Sequence, residues 1–222
     1  MPAAPTVFTV RALLLDMDGT LVDSDAVVER CWHDWALEHG LDPARVIAVA
    51  HGRQGHTTMA TLLPDRPTEL NLADNARLLA REKNDTEGVV PIPGAAAFLA
   101  ALAGLPHALV TSADEALARV RMAAAGLPLP PALVTAESVG AGKPDPEGFL
   151  KGAAAVGFAP ADCLAFEDSA AGIAAALAAG VPVVGIGPRA GAHHPTAHAA
   201  TLEDVSVTAA ADGTLTVTVR TA

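Results

Sequence analysis

The stretch Leu13–Ser24, LLLDMDGTLVDS, constrains this chain more than any other. Three consecutive leucines suit a strand buried on both faces, and two carboxylates follow at once. Such a strand delivers charge to the carboxyl edge of a sheet, where open α/β sheets bind ligands. Asp16 and Asp18 stand two apart, so on a regular strand both point to one face, close enough to share a divalent cation. Gly19 and Thr20 then supply a tight turn and a hydroxyl.

The period changes from two to about 3.6 after this stretch. Val28, Cys31, Trp32, Trp35 and His39 recur at helical steps, with Ser24 or Asp25 placed to cap the start and Gly40 to end the helix. Asp42-Pro43 opens a second helix through about Val49, and helical patterns resume at Thr57–Leu63 and from Thr68 to about Lys83. Residues 24–89 therefore read as a small all-helical unit. Beyond it short apolar runs alternate with helices: strands at His107–Val110, Leu133-Val134, Cys163–Phe166 and Val181–Ile186, and helices at Gly94–Leu102, Glu115–Ala125, from Asp145-Pro146 to Gly157, and at Ala170–Ala179. That succession implies a mostly parallel sheet covered on both faces, with the helical unit inserted after the first strand. The expected fold class is α/β, with a core from 1–23 and 90–222 and a cap from 24–89. Met1–Val10, carrying Pro2 and Pro5, reads as a loose arm. Val205–Thr208 and Leu215–Val219 alternate around Asp212-Gly213 as a hairpin added to the sheet edge.

A net charge of −11 argues against a nucleic-acid partner, whose phosphates need clustered Lys and Arg. The only two cysteines, Cys31 and Cys163, form no metal-ligand spacing and read as reduced core residues. No apolar stretch reaches membrane-spanning length, and the N-terminal residues lack a basic region followed by an apolar core. A cytoplasmic protein, monomeric or weakly dimeric, is expected.

The strand ends carry the chemistry. Asp16, Asp18, Thr111, Ser112 and the pair Glu167-Asp168 all fall at carboxyl ends of expected parallel strands, and Lys143 lies in GKPDP just ahead of a helix. One sheet edge thus gathers carboxylates for a cation, hydroxyls and backbone donors for an anion, and one fixed positive charge, the parts that phosphoryl transfer requires. In order and spacing the four motifs, DMDGTLVDS at 16–24, TS at 111–112, GKP at 142–144 and ED at 167–168, resemble the phosphatases of the haloacid dehalogenase superfamily. HGRQ at 51–54, VTAESVGAGKPDPEGFLKGA at 134–153 and FEDSAAGIAAALAAG at 166–180 are more narrowly similar to bacterial sugar phosphatases and glycerol phosphatases, as is the terminal hairpin.

The resemblance implies a Rossmann-like core with a helical cap and a magnesium-dependent hydrolysis of small phosphorylated sugars or polyols. Asp16 is then the nucleophile that forms an aspartyl-phosphate, and Asp18 the general acid and base. Magnesium is held by the Asp16 carboxylate, the Asp18 main-chain carbonyl and Asp168, with Glu167 orienting its neighbours. On this reading the Asp18 side chain turns away from the metal, which withdraws the shared-cation geometry above. Thr111 and Ser112 form the phosphate cradle, with Ser112 near a helix start, and Lys143 neutralises phosphoryl oxygens. His51, Arg53 and Gln54, between two cap helices, are the candidate substrate contacts. β-Phosphoglucomutases are the main alternative, but their cap histidine falls at Val28 here and their distal-phosphate arginine at Gly55. A catalytically silent binding module is a further alternative, opposed by the intact motifs.

Overall fold

The first described element is a strand, within the stretch expected to be a loose arm. The structure, a computed structural model describing residues 4–220, places β1 at Thr6–Val10, followed by β2 (Ala12–Leu15), the two-residue β3 (Val22–Asp23), and four helices: α1 (Asp25–Glu38), α2 (Pro43–Ala50), α3 (Gly55–Leu62) and α4 (Thr68–Asn84). Strands and helices then alternate: β4 (Val90–Pro91), α5 (Ala95–Ala101), β5 (His107–Val110), α6 (Glu115–Ala124), β6 (Ala132–Val134), α7 (Glu147–Val156), β7 (Cys163–Glu167), α8 (Ala170–Ala178), β8 (Val183–Ile186), α9 (Gly187–Ala190) and β9 (Ala197–Ala199). The hairpin β10 (Val205–Ala209) and β11 (Leu215–Val219) closes the chain.

Six strands form one parallel sheet in the order β6-β5-β2-β7-β8-β9. The chain runs outward from β2 through β5 to β6 and then crosses back to β7, so β2 sits at the switch point, with the crevice at its carboxyl end. Leu13, Leu14 and Leu15 are all fully buried. Leu13 and Leu15 pack on one face with Phe98 of α5 and Leu117 and Met122 of α6. Leu14 packs on the other, with Phe149 of α7 and Ile173 and Ala176 of α8. Each such side chain contributes about 1.5–3 kcal/mol relative to exposure, which explains why the run is continuous and not alternating.

The first strand and the tail correct the expectations. β1 pairs antiparallel with β11, from Thr6 opposite Val219 to Val10 opposite Leu215, and β11 pairs with β10. The hairpin therefore builds a separate three-stranded sheet and does not extend the parallel one. Its middle strand buries Leu215, Val217 and Val219 on the β2 side of the core. Thr6, Phe8 and Val10 turn inward with period two, a signal masked by the nearby prolines; Met1 and Pro2 lie outside the described residues.

Around the helices the departures are local. α1 buries Val27, Cys31, Trp32, Trp35 and Ala36, so the stripe runs through Val27 instead of Val28. Ser24 occupies the N-cap position, yet its hydroxyl makes no cap bond. Asp42 and Pro43 start α2 as expected, with Asp42 Oδ1 accepting from the Ala44 N–H at 3.1 Å. At the corresponding signal before α7, Pro146 is itself the N-cap residue, and Asp145 accepts from the Glu147 N–H. β3 and β4 pair with each other, Val22 opposite Pro91, so the two passages framing α1–α4 run side by side. Among the described residues no helix is long and apolar enough to cross a membrane.

Candidate active site

Asp16 leaves β2 with its N–H donated to the Phe166 carbonyl of β7 at 3.0 Å. The backbone then folds tightly: Leu21 and Val22 N–H groups both donate to the Met17 carbonyl, and Gly19 N–H to that of Val22. Gly19 has φ of +82°, and a Cβ there would collide with the Asp168 carboxylate, so this turn requires glycine. The turn also separates the two acids.

Asp16 stays inward. Its Oδ1 accepts from Lys143 Nζ at 2.5 Å, and the same ammonium donates to Glu167 Oε1 at 2.6 Å and to the Val110 carbonyl at 3.0 Å. Glu167, fully buried, accepts with its other oxygen from the Ser169 N–H and hydroxyl, both at 2.9 Å. Asp168 Oδ2 accepts from Arg189 at 2.7 Å, while its Oδ1 is buried without a partner among the described residues. Carboxylate oxygens of Asp16, Glu167 and Asp168 lie within 4.8 Å of one another.

Asp18 turns the opposite way. Its Oδ1 accepts from Ser24 Oγ at 2.7 Å and its Oδ2 pairs with Arg121 Nη1 at 2.8 Å. Its side chain is thus outside the three-acid cluster.

Burial and the charge of Glu167 raise the Asp16 carboxyl well above the usual range, against the pull of Lys143. Burial and Glu167 raise Asp168 likewise. Burial works against the charge of Lys143 too, but Asp16 and Glu167 outweigh it and hold the ammonium charged. Three buried carboxylates face Lys143 and an Arg189 shared with Asp25, so acids outnumber cations, and the donor set of the three is all oxygen. A hard divalent cation fits such a set, and the orphaned Asp168 Oδ1 is a buried acceptor suited to one.

Thr111 and Ser112 follow β5 on the same edge. Thr111 Oγ1 accepts from the Ala113 N–H at 3.1 Å, and Ser112 Oγ donates to the Gly52 carbonyl of the helical unit at 2.9 Å. The helix expected from Glu115 starts there, and Asp114 caps α6 by accepting from the Leu117 N–H. A cavity of about 80 Å³ opens above Asp16, lined by Asp18, Thr111 and Ser112 from the core, by Trp32 of α1 and by His51 and Arg53 from the α2–α3 connection. Val28 and Gly55 line it as well. Burial lowers the His51 pKa, with the Arg189 charge adding to the effect. Gln54 departs from expectation: it packs on Gly142, its amide donates to the Ala136 carbonyl at 3.4 Å, and it does not line the cavity.

Sequence reasoning missed Asn75, Glu82, Arg121 and Arg189. The first three line the cavity, and Arg189 bridges Asp168 and Asp25. Two of them left a trace: Arg121 falls four residues after Leu117 on the buried face of α6, and Glu82 four after Leu78 on that of α4. A charge on an apolar stripe needs a partner.

A switch-point crevice with paired acids, lysine and hydroxyl loop defines a phosphoryl-transfer site of one fold family. The haloacid dehalogenase-like hydrolase model matches residues 10–180, and the chain belongs to that family of hydrolases. Among curated relatives it is 44% identical to hexitol phosphatase A of Escherichia coli over 79% of this chain and 82% of that one. It is 31% identical to glycerol-1-phosphate phosphohydrolase 1 of Saccharomyces cerevisiae, over 82% and 76%. A hydrolase from Pseudomonas syringae shares the fold with a TM-score of 0.72 at 23% identity, covering 79% of this chain and 84% of the other.

Proposed function

We propose that this hydrolase releases phosphate from small sugar or polyol phosphates through an aspartyl-phosphate on Asp16, with magnesium as cofactor. The observation that carries the reading is the separation of Asp16 from Asp18: one carboxylate sits on Lys143 beside Glu167 and Asp168, and the other faces the cavity. Asp16 attacks phosphorus in line, Lys143 neutralises phosphoryl oxygens, and Thr111 with the backbone at Ser112 cradles them. Asp18 protonates the departing alkoxide and afterwards takes a proton from the water that hydrolyses the intermediate. Magnesium, held by the Asp16 carboxylate, the Asp18 carbonyl and Asp168, supplies charge neutralisation and orientation. The core comprises 1–23 and 90–222, and residues 24–89 act as the cap that chooses the substrate, with His51 and Arg53 turned to the cavity.

The mutase alternative is disfavoured by the cavity wall. Val28 offers no proton-handling group, and a Cβ at Gly55 would meet Asn75 and Trp32, leaving no room for an arginine. Hexitol, hexose and glycerol phosphates incubated with the enzyme and magnesium should release free phosphate, and Asp16→Asn should abolish release. Turnover retained in that variant rejects the nucleophile assignment. Conversion of β-glucose 1-phosphate to glucose 6-phosphate without phosphate release would instead establish the mutase.

A further inference from the structure

Asp18 is supported from two sides, and only one of the supports lies in the family motifs. Its two carboxylate oxygens are each held by one neighbour, Ser24 at the entry to the helical unit and Arg121 on α6. Arg121 is itself buried, and its other terminal nitrogen, Nη2, donates to Glu82 Oε2 at 2.9 Å. Glu82 is equally buried and is carried on α4, the last helix of the unit. The Nε of Arg121 has no partner among the described residues, so Asp18 and Glu82 are what orient the guanidinium. Alongside, Lys83 of α4 meets Asp114 at 2.5 Å, which seats the same turn of α4 on the start of α6.

Both anchors of Asp18 therefore depend on where the helical unit sits. If α4 withdraws, Arg121 loses the contact that fixes its fork, and the carboxylate loses a defined plane. If α4 is seated, the carboxylate is aimed from both sides while keeping its face on the cavity. We propose that Arg121 is a positioning residue for Asp18, and that Glu82 makes this positioning depend on the cap being seated. The inference rests on the reading of Asp18 as the acid for the leaving oxygen. Arg121 is suited to the task because its planar fork bridges two carboxylates in fixed geometry, which a lysine cannot do.

The test compares kcat/KM for two substrates, since this ratio covers the steps up to phosphoryl transfer. Glycerol 1-phosphate needs its leaving oxygen protonated; 4-nitrophenyl phosphate does not. Replacing both buried partners, Arg121→Met with Glu82→Leu, strands no buried charge between α4 and α6, and Asp18 keeps Ser24 and its open face on the cavity. That double variant should lose at least about tenfold more kcat/KM on the glycerol ester than on the nitrophenyl ester, within the range of about 10²–10⁴ that proton transfer supplies. Arg121→Lys, which keeps the charge and loses the fork, should show the same selective loss should the double variant not fold. Glu82→Gln, which keeps an acceptor oxygen, should keep most of the wild-type kcat/KM on the glycerol ester. Equal losses on both substrates, or none on either, overturn the proposal and leave the pair as a cap-to-core contact. Asp18→Asn serves as the reference: if it too loses both substrates equally, the acid assignment fails and the proposal falls with it. Selectivity in Asp18→Asn without selectivity in the Arg121 variants rejects the positioning role alone.

Discussion

Two buried carboxylate clusters, one in the helical unit and one in the core, are built to opposite balances. In the helical unit Asp74 accepts from Trp35 Nε1 at 3.0 Å, Arg66 at 2.7 Å and Arg77 at 2.5 Å, with His39 Nε2 also 3.0 Å away. Burial opposes its charge, but these donors outweigh burial and bring the carboxyl down to about 2. In the core, Asp16 and Glu167 share one lysine, Asp168 beside them takes an Arg189 that also serves Asp25, and both Asp16 and Asp168 are pushed up. The first cluster is complete and holds α1 to α4. The second is short of positive charge, which is how a site for a cation and a phosphoryl group differs from a structural one.

The comparison breaks if the two clusters respond alike. Asp16→Asn should reduce phosphate release to background while leaving the melting temperature unchanged or higher, because it removes one of several crowded like charges; assay and calorimetry on one preparation check this. Asp74→Asn should do the reverse, destabilising by about 3 kcal/mol, the low end for breaking a buried pair, while the folded fraction keeps its kcat. Both tryptophans of the chain, Trp32 and Trp35, lie in α1, so intrinsic fluorescence reports that unit.

The same probe reads the acid limit. A carboxyl lowered from 3.8 to about 2 on folding contributes stability that is complete above its ordinary value and is lost as pH falls through the lowered one. Fluorescence should therefore report opening of the helical unit between about pH 4 and pH 2, and no such transition should follow Asp74 in the Asn variant. A smaller effect sharpens the contrast from the core side. Magnesium at 100 times its dissociation constant should stabilise the wild type by about 2.7 kcal/mol, and Asp168→Asn should lose most of that shift while Asp74→Asn keeps it. Smallest of all, Arg77→Ala should cost under about 1 kcal/mol, because this arginine is largely exposed and Arg66 remains on Asp74.

What the sequence disclosed follows the range of each signal. Leu13–Leu15, the acids beyond them and Lys143 were legible because strand burial and motif spacing are local, and the parallel order collects strand ends on one edge without any knowledge of side-chain contacts. The helices of residues 24–89 were legible from period alone. The strand at Thr6–Val10 was not, because its partner β11 lies at the far end of the chain and five residues carry little periodicity. Arg121 and Glu82 were hidden for a related reason: each shows only as a charge at helical spacing from a buried leucine, and the partner that explains it comes from another element. Gln54 read as a substrate contact because its loop faces the cavity, whereas its own side chain turns to Gly142.

The pairing of Thr6 with Val219 also governs how the chain comes into being. On a ribosome adding about 5–20 residues per second, β1 waits roughly 10–40 s for its partner. The parallel sheet and the helical unit have all their residues before that, so the three-stranded sheet closes last, as a clasp between β1 and β11. An unpaired β1 is an exposed edge during that interval, open to pairing with another chain. Because Thr6 lies opposite Val219, a short linker leading from β11 into β1 should permit a circular permutant opened at a surface turn such as Leu63–Pro67, with the two strands then made as one hairpin and the wait removed.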